Sequence, residues 1–142
     1  MTRRGQANEA TLEALGKALL RVTVAGLLLM HGVHKVGHGI EGIKSSLAGR
    51  GLPAPLAYGV YLGEVVAPLL VIAGVWSRPA ALVMAINMVV AVAVAHPGDV
   101  LRVGKGGQWA IELQVLYMMG AVAVALLGPG PYSVSRGRTR AG

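Results

Sequence analysis

The sequence predicts an all-α integral membrane protein, folded as a four-transmembrane-helix bundle, on three observations. Composition is the first. Of the 142 residues, 54% are hydrophobic and 13% charged, with a mean hydropathy of +0.61, beyond the usual apolar share of a soluble domain. The second is the presence of four apolar segments, each close to the roughly 17–25 residues a helix needs to cross hydrocarbon. The third is the position of Arg21, Glu64 and Glu112 inside those segments. An ionised group in lipid costs about 3 kcal/mol or more on insertion scales, so such groups normally face protein, water or a partner. Three of them point to a polar centre within the helices.

Taken in order, residues 1–17 are expected to form a cytoplasmic amphipathic segment leading into a four-helix domain at 18–128. The first span is 18–33 (ALLRVTVAGLLLMHGV). Its internal arginine, and the lack of a small-x-small cleavage site before His31, mark it as retained rather than as a signal peptide. Gly51-Leu52-Pro53-Ala54-Pro55 leads into the second span, 57–76, and Ser77-Arg78-Pro79 reads as a tight turn before the third, 79–95. His96-Pro97-Gly98-Asp99 ends that span. The fourth, 109–127, is closed by Gly128-Pro129-Gly130-Pro131, because proline and glycine there cannot continue a helix. Residues 129–142 form a basic cytoplasmic tail, expected to be disordered after Tyr132. Each odd span ends on histidine and glycine, and each even span carries a glutamate in its first half, a faint repeat of two hairpins.

Net charge is +7, yet the basic residues cluster at segment ends, where anionic lipid headgroups attract them. That distribution favours membrane lipids over nucleic acid as the partner. An even number of spans places both termini on one side, with Arg3, Arg4, Lys17, Arg21, Arg78, Arg136, Arg138 and Arg140. Opposite them are Lys35, Lys44, Arg50, Arg102 and Lys105. The positive-inside rule then makes the termini cytoplasmic in a multi-pass protein. The chain contains no cysteine, which excludes disulfides, thiolate metal sites and cysteine-ligated iron–sulfur clusters. No nucleophile elbow, P-loop or dinucleotide fingerprint occurs, and Gly104-Lys105-Gly106-Gly107 is a linker. Catalytic residues are therefore not assigned from sequence.

Two polar groupings are expected. On the first helix Arg21, Leu28, His31 and Lys35 share a face. Arg21 lies about 15 Å from His31 at 1.5 Å per residue, at a depth that brings it level with Glu64. The pair forms the expected buried polar centre: a structural clamp, or a proton or substrate site. His31, His34, Lys35, His96 and Glu112 form the expected outer-leaflet site, suited to a quinone or another polar headgroup, or to proton transfer. The spacing of His31, His34 and His38 fits one helical face, but Gly32, Gly37 and Gly39 suggest fraying and no acidic residue joins them, so no metal is expected. Asn87 is expected to make an interhelical hydrogen bond.

These residues resemble the DoxX family of small bacterial membrane proteins. The resemblance lies in Leu20-Arg21 with Met30-His31-Gly32-Val33-His34-Lys35-Val36-Gly37; Gly51-Leu52-Pro53; Glu64 with Gly74-Val75-Trp76-Ser77-Arg78-Pro79-Ala80-Ala81; Ala110-Ile111-Glu112-Leu113; and Gly128-Pro129-Gly130-Pro131-Tyr132-Ser133. It covers roughly positions 17–135 in the family's order. It implies a four-helix protein of the bacterial inner membrane, linked to respiratory and sulfur redox metabolism; relatives include a membrane subunit of thiosulfate:quinone oxidoreductase. The expected role is a membrane subunit or accessory component of a quinone-linked oxidoreductase system. It would have no intrinsic cofactor, would bind a quinone, and would act with a redox partner protein or as a homo-oligomer. The alternatives are a small-molecule or proton-coupled carrier, and a non-catalytic membrane scaffold.

Overall fold

The computed structural model describes residues 3–135, which are helical apart from turns, loops and one isolated bridge between Val103 and Trp109. α1 spans Arg3–His38 and α2 spans Glu41–Ala48. α3 is a composite helix over Ala54–Ala73, α4 spans Ser77–Ala95 and α5 spans Glu112–Leu127. α3 and α4 are long and apolar enough to cross a membrane, and α5 is a shorter apolar helix. α1 packs on α3 and α5, while α4 packs on α3 and most extensively on α5. Small residues line the joint core, with Ala25, Ala67, Ala81, Ala85 and Ala121 packed around Leu28, Val71, Met84 and Val124. In a chain without phenylalanine, that is how backbones come close.

The ends of the helices differ from the sequence expectation for definable reasons. α1 does not fray at its glycines. It runs unbroken to His38 and stops at Gly39, whose φ of +86° only glycine adopts easily. The turn between α3 and α4 is Gly74–Trp76 rather than Ser77-Arg78-Pro79, which already belong to α4. Gly74 has a φ of +76°, and the Val75 N–H donates to Leu70 O at 3.0 Å, closing α3 as a Schellman turn. α2 was not foreseen. Its inward residues Ile40 and Leu47 pack with Ala57 in a second, smaller cluster. The chain after Tyr132 is ordered as far as it is described. Ser133 Oγ donates to Gly130 O at 3.0 Å and Ser135 Oγ to Gly74 O at 2.7 Å. The remaining tail arginines lie outside the described residues.

α3 contains the local irregularity that matters most. Leu62–Val66 forms a wide π turn, with the Ala67 N–H donating to Leu62 O. Pro68, two residues into the following helix, has no N–H to give to the carbonyl four residues back, which is that of Glu64. The widened turn is the usual accommodation. It leaves the Glu64 carbonyl turned onto α1 at Gly32, where any Cβ would collide with it.

Candidate functional site

Glu64, carried on this π turn, is 2% exposed. Lys35 Nζ donates to both of its carboxylate oxygens at 2.6 Å, and Asn87 Nδ2 of α4 donates to Oε1 at 3.3 Å. Two glycines permit the approach. Gly32 receives the Glu64 backbone, and Gly63 receives the Asn87 side chain, leaving no room for a Cβ at either position. The Tyr61 hydroxyl donates to Lys35 O at 3.3 Å, pinning the end of α1 to α3.

The expected Arg21–Glu64 pair does not form. Helical side chains lean towards their helix's N-terminus, so Arg21 points away from Glu64 while Lys35, 14 residues further along α1, points back towards it. Arg21, only 3% exposed, donates instead to Pro129 O at 2.7 Å and Tyr132 O at 2.5 Å. It has no carboxylate partner among the described residues, and its Nε is buried without an acceptor. Arg21 therefore organises the tail end of the molecule, and Glu64 belongs to the opposite, α2 end.

A cavity of about 680 Å³ opens beside the Lys35–Glu64 pair. Its walls are chiefly apolar, and lining residues such as Leu62, Ile86 and Val90 are half-exposed on the outer surface, so it opens sideways between α3 and α4. Its polar side chains besides the ion pair are His31, Ser46, Asn87, His96, Gln114 and Tyr117. His31 Nδ1 donates to Leu27 O at 3.0 Å, which leaves Nε2 as the free acceptor, and its ring meets Tyr117 edge-on at 5.6 Å. His96 Nδ1 donates to Asp99 Oδ2 at 3.1 Å, while its Nε2 accepts from Gln114 Nε2 at 3.2 Å. Asp99 is held below the ordinary carboxylate range by that histidine bond and by Arg102.

The structure thus brings His31, Lys35 and His96 of the expected outer site to one cavity, and adds Glu64. It leaves out two others. Glu112 is exposed and accepts the Trp109 N–H at 3.1 Å, tying the preceding turn to the start of α5, where a negative charge also suits the helix dipole. His34 is exposed and stacks on His38 at 4.1 Å. Among the described residues, no group of three or more potential ligands could hold a metal. Sequence reasoning missed Gln114 and Tyr117; their spacing of three on α5, one turn apart, was the available signal. Asn87 does make an interhelical bond, and its partner is the central carboxylate.

No curated protein and no solved structure matches the chain. The DoxX family model does, over residues 16–97, more than half of the sequence. That stretch runs from Gly16 within α1 to Pro97, just past α4, and so contains Arg21, His31, Lys35, Glu64, Asn87 and His96. The chain belongs to the DoxX family of membrane proteins.

Proposed function

We propose that this protein is a four-helix inner-membrane subunit or accessory component of a quinone-linked oxidoreductase system, and that its lateral cavity takes the quinone. α1, α3, α4 and α5 would cross the membrane as a bundle, with both termini in the cytoplasm. The observation that carries the reading is the Lys35–Glu64–Asn87 cluster set in the wall of an apolar cavity. Removing an ion pair from water is expensive, and one placed in lipid is functional more often than not. Lys35 keeps an N–H beyond the two that Glu64 accepts, a donor suited to a quinone carbonyl. The free Nε2 of His31, one turn away, is an acceptor suited to a quinol hydroxyl. An isoprenoid tail would leave between α3 and α4 into the acyl chains. The absence of cysteine means that any cysteine-ligated cluster would belong to a partner protein.

Purification in mild detergent followed by mass spectrometry should find bound quinone. Titration with a short-chain benzoquinone should give saturable binding, weakened about tenfold or more in Glu64→Gln and Lys35→Met. His34→Ala and Glu112→Gln, both outside the cavity, should bind as wild type. Absence of quinone in both measurements, or wild-type affinity in Glu64→Gln, would overturn the reading. Solute flux in liposomes holding the pure protein would establish the carrier alternative instead.

A further inference from the structure

Among the described residues, three buried side-chain atoms have no hydrogen-bond partner: Arg21 Nε, Ser77 Oγ and Gln114 Oε1. Arg21 and Ser77 do not line the large cavity, whereas Gln114 does. An amide oxygen held out of water without a donor is costly, and native structures keep few of them. Beside a cavity of about 680 Å³, within the size range of small-molecule sites, a ligand is the natural source of the missing donor.

The oxygen is left open by a chain of hydrogen bonds that starts in the loop after α4. Asp99, held ionised beside Arg102, offers lone pairs only, so His96 Nδ1 must carry the proton between them. A neutral imidazole with its proton on Nδ1 has a lone pair on Nε2. Gln114 meets that nitrogen at 3.2 Å, and only the NH2 end of its amide can donate there. The carbonyl end is thereby turned away from His96. Two further cavity residues are biased the same way. Ser46 Oγ gives its proton to Gly42 O and His31 Nδ1 gives its proton to Leu27 O, so what remains on each is an acceptor.

We propose that the cavity selects the hydroxyl-bearing form of its ligand, binding quinol more tightly than quinone, with Gln114 discriminating and His96 and Asp99 positioning its amide. This rests on the quinone reading of the cavity and adds the redox form it takes. Lys35 does not distinguish the two forms, because its N–H reaches a quinol oxygen as readily as a quinone carbonyl. At Gln114 and His31 they differ. A quinol hydroxyl donates to Oε1 or Nε2, while a quinone carbonyl sets lone pair against lone pair and leaves both acceptors desolvated and unpaired. The preference is a property of binding alone and involves no electron transfer.

The test is the affinity of the full-length protein in detergent for tetramethyl-1,4-benzoquinone and, without oxygen, for its hydroquinone, both in mildly alkaline buffer. The hydroquinone should bind about tenfold more tightly. Gln114→Leu should weaken hydroquinone binding about tenfold and leave quinone binding within about twofold, bringing the ratio close to one. Asp99→Asn is in the loop and touches no ligand. It should also shrink the ratio, because asparagine can donate to His96 as well as accept and no longer fixes the amide. Glu112→Gln, outside the cavity, should keep the wild-type ratio. Equal affinities in the wild type, or an unchanged ratio in Gln114→Leu or Asp99→Asn, would overturn the proposal and leave the quinone reading standing. Binding of neither form would overturn both.

Discussion

Midway along α1 a guanidinium is enclosed by backbone carbonyls, while about 21 Å further along the same helix an ammonium is enclosed by a carboxylate beside a cavity. Both solve the problem of a charge away from water, but in different ways. Arg21 has a rigid planar fork, and two of its nitrogens hold two turns of the C-terminal loop at once. Space around it is closed: a Cβ at Gly74 would fall on the guanidinium and on Ser133. Lys35 is a point charge on a flexible stem, still partly exposed, and its partner Glu64 sits on a π turn. The first arrangement fixes a loop around a buried guanidinium. The second sets a neutralised pair next to open volume. On the proposed reading, structure is concentrated at the tail end and chemistry at the α2 end.

The largest test of that contrast is Arg21→Met. It leaves the Pro129 and Tyr132 carbonyls without donors and removes two charge-assisted hydrogen bonds, an expected loss of about 3–5 kcal/mol. Thermal unfolding in detergent should show it, together with proteolytic access to the loop after Leu127. Arg21→Lys should recover little, because one ammonium cannot serve both carbonyls in the same plane. Full stability in Arg21→Met would mean that the tail end is held by something other than this fork.

Gly32→Ala should come next, at about 1–3 kcal/mol, since the new methyl must displace the Glu64 carbonyl, which belongs to backbone. Gly16→Ala, with open space around it, should be neutral or slightly stabilising. The pair separates close approach from helix propensity. If Gly32→Ala keeps its stability but loses quinone, the π turn has shifted without unfolding, which sharpens the assignment of function to that end.

An effect of similar size is expected from the ion pair. In a double-mutant cycle, Glu64→Gln and Lys35→Met should couple by about 1–3 kcal/mol. The double variant should be more stable than the sum of the singles implies, because neither buried partner is then left alone. Coupling near zero would show that Lys35 is solvated independently of Glu64, and the two ends of α1 would no longer differ in kind.

Much of this was readable from the chain. The helical, apolar character of the chain and its family resemblance followed from pattern alone. Pairing did not. Depth along separate helices placed Arg21 level with Glu64, but depth ignores the lean of side chains towards the N-terminus, which sends Arg21 and Lys35 to different ends. The same lean turns Glu112 back onto the Trp109 N–H, so the repeat that likened it to Glu64 joins two residues with different environments. Pro68 carried a signal that was not used: it frees the carbonyl of Glu64, and a glycine on a neighbouring helix is then needed to meet it. α2, only eight residues long, was too short to stand out beside spans twice its length.

The smallest expected effect is one of pH, at the watery margin of the cavity. Asp99 accepts from His96 and from Arg102, and both lower its affinity for protons. A carboxyl lowered in the folded state contributes fully above its unfolded value, near 3.9, and loses that contribution as pH falls through the folded one. The contribution of the Asp99 carboxylate to the loop should therefore be present at neutrality and be lost in stronger acid. Hydrogen exchange at residues 97–102, compared between wild type and Asp99→Asn, measures it. The two should differ above about pH 5 and converge in stronger acid. Because Asp99 is in water, the change should stay local, and the melting temperature set by Arg21 should not follow it. If acid instead loosened α1 and the tail loop together with residues 97–102, the two ends would be one cooperative unit, and the division between a structural end and a chemical end would fail.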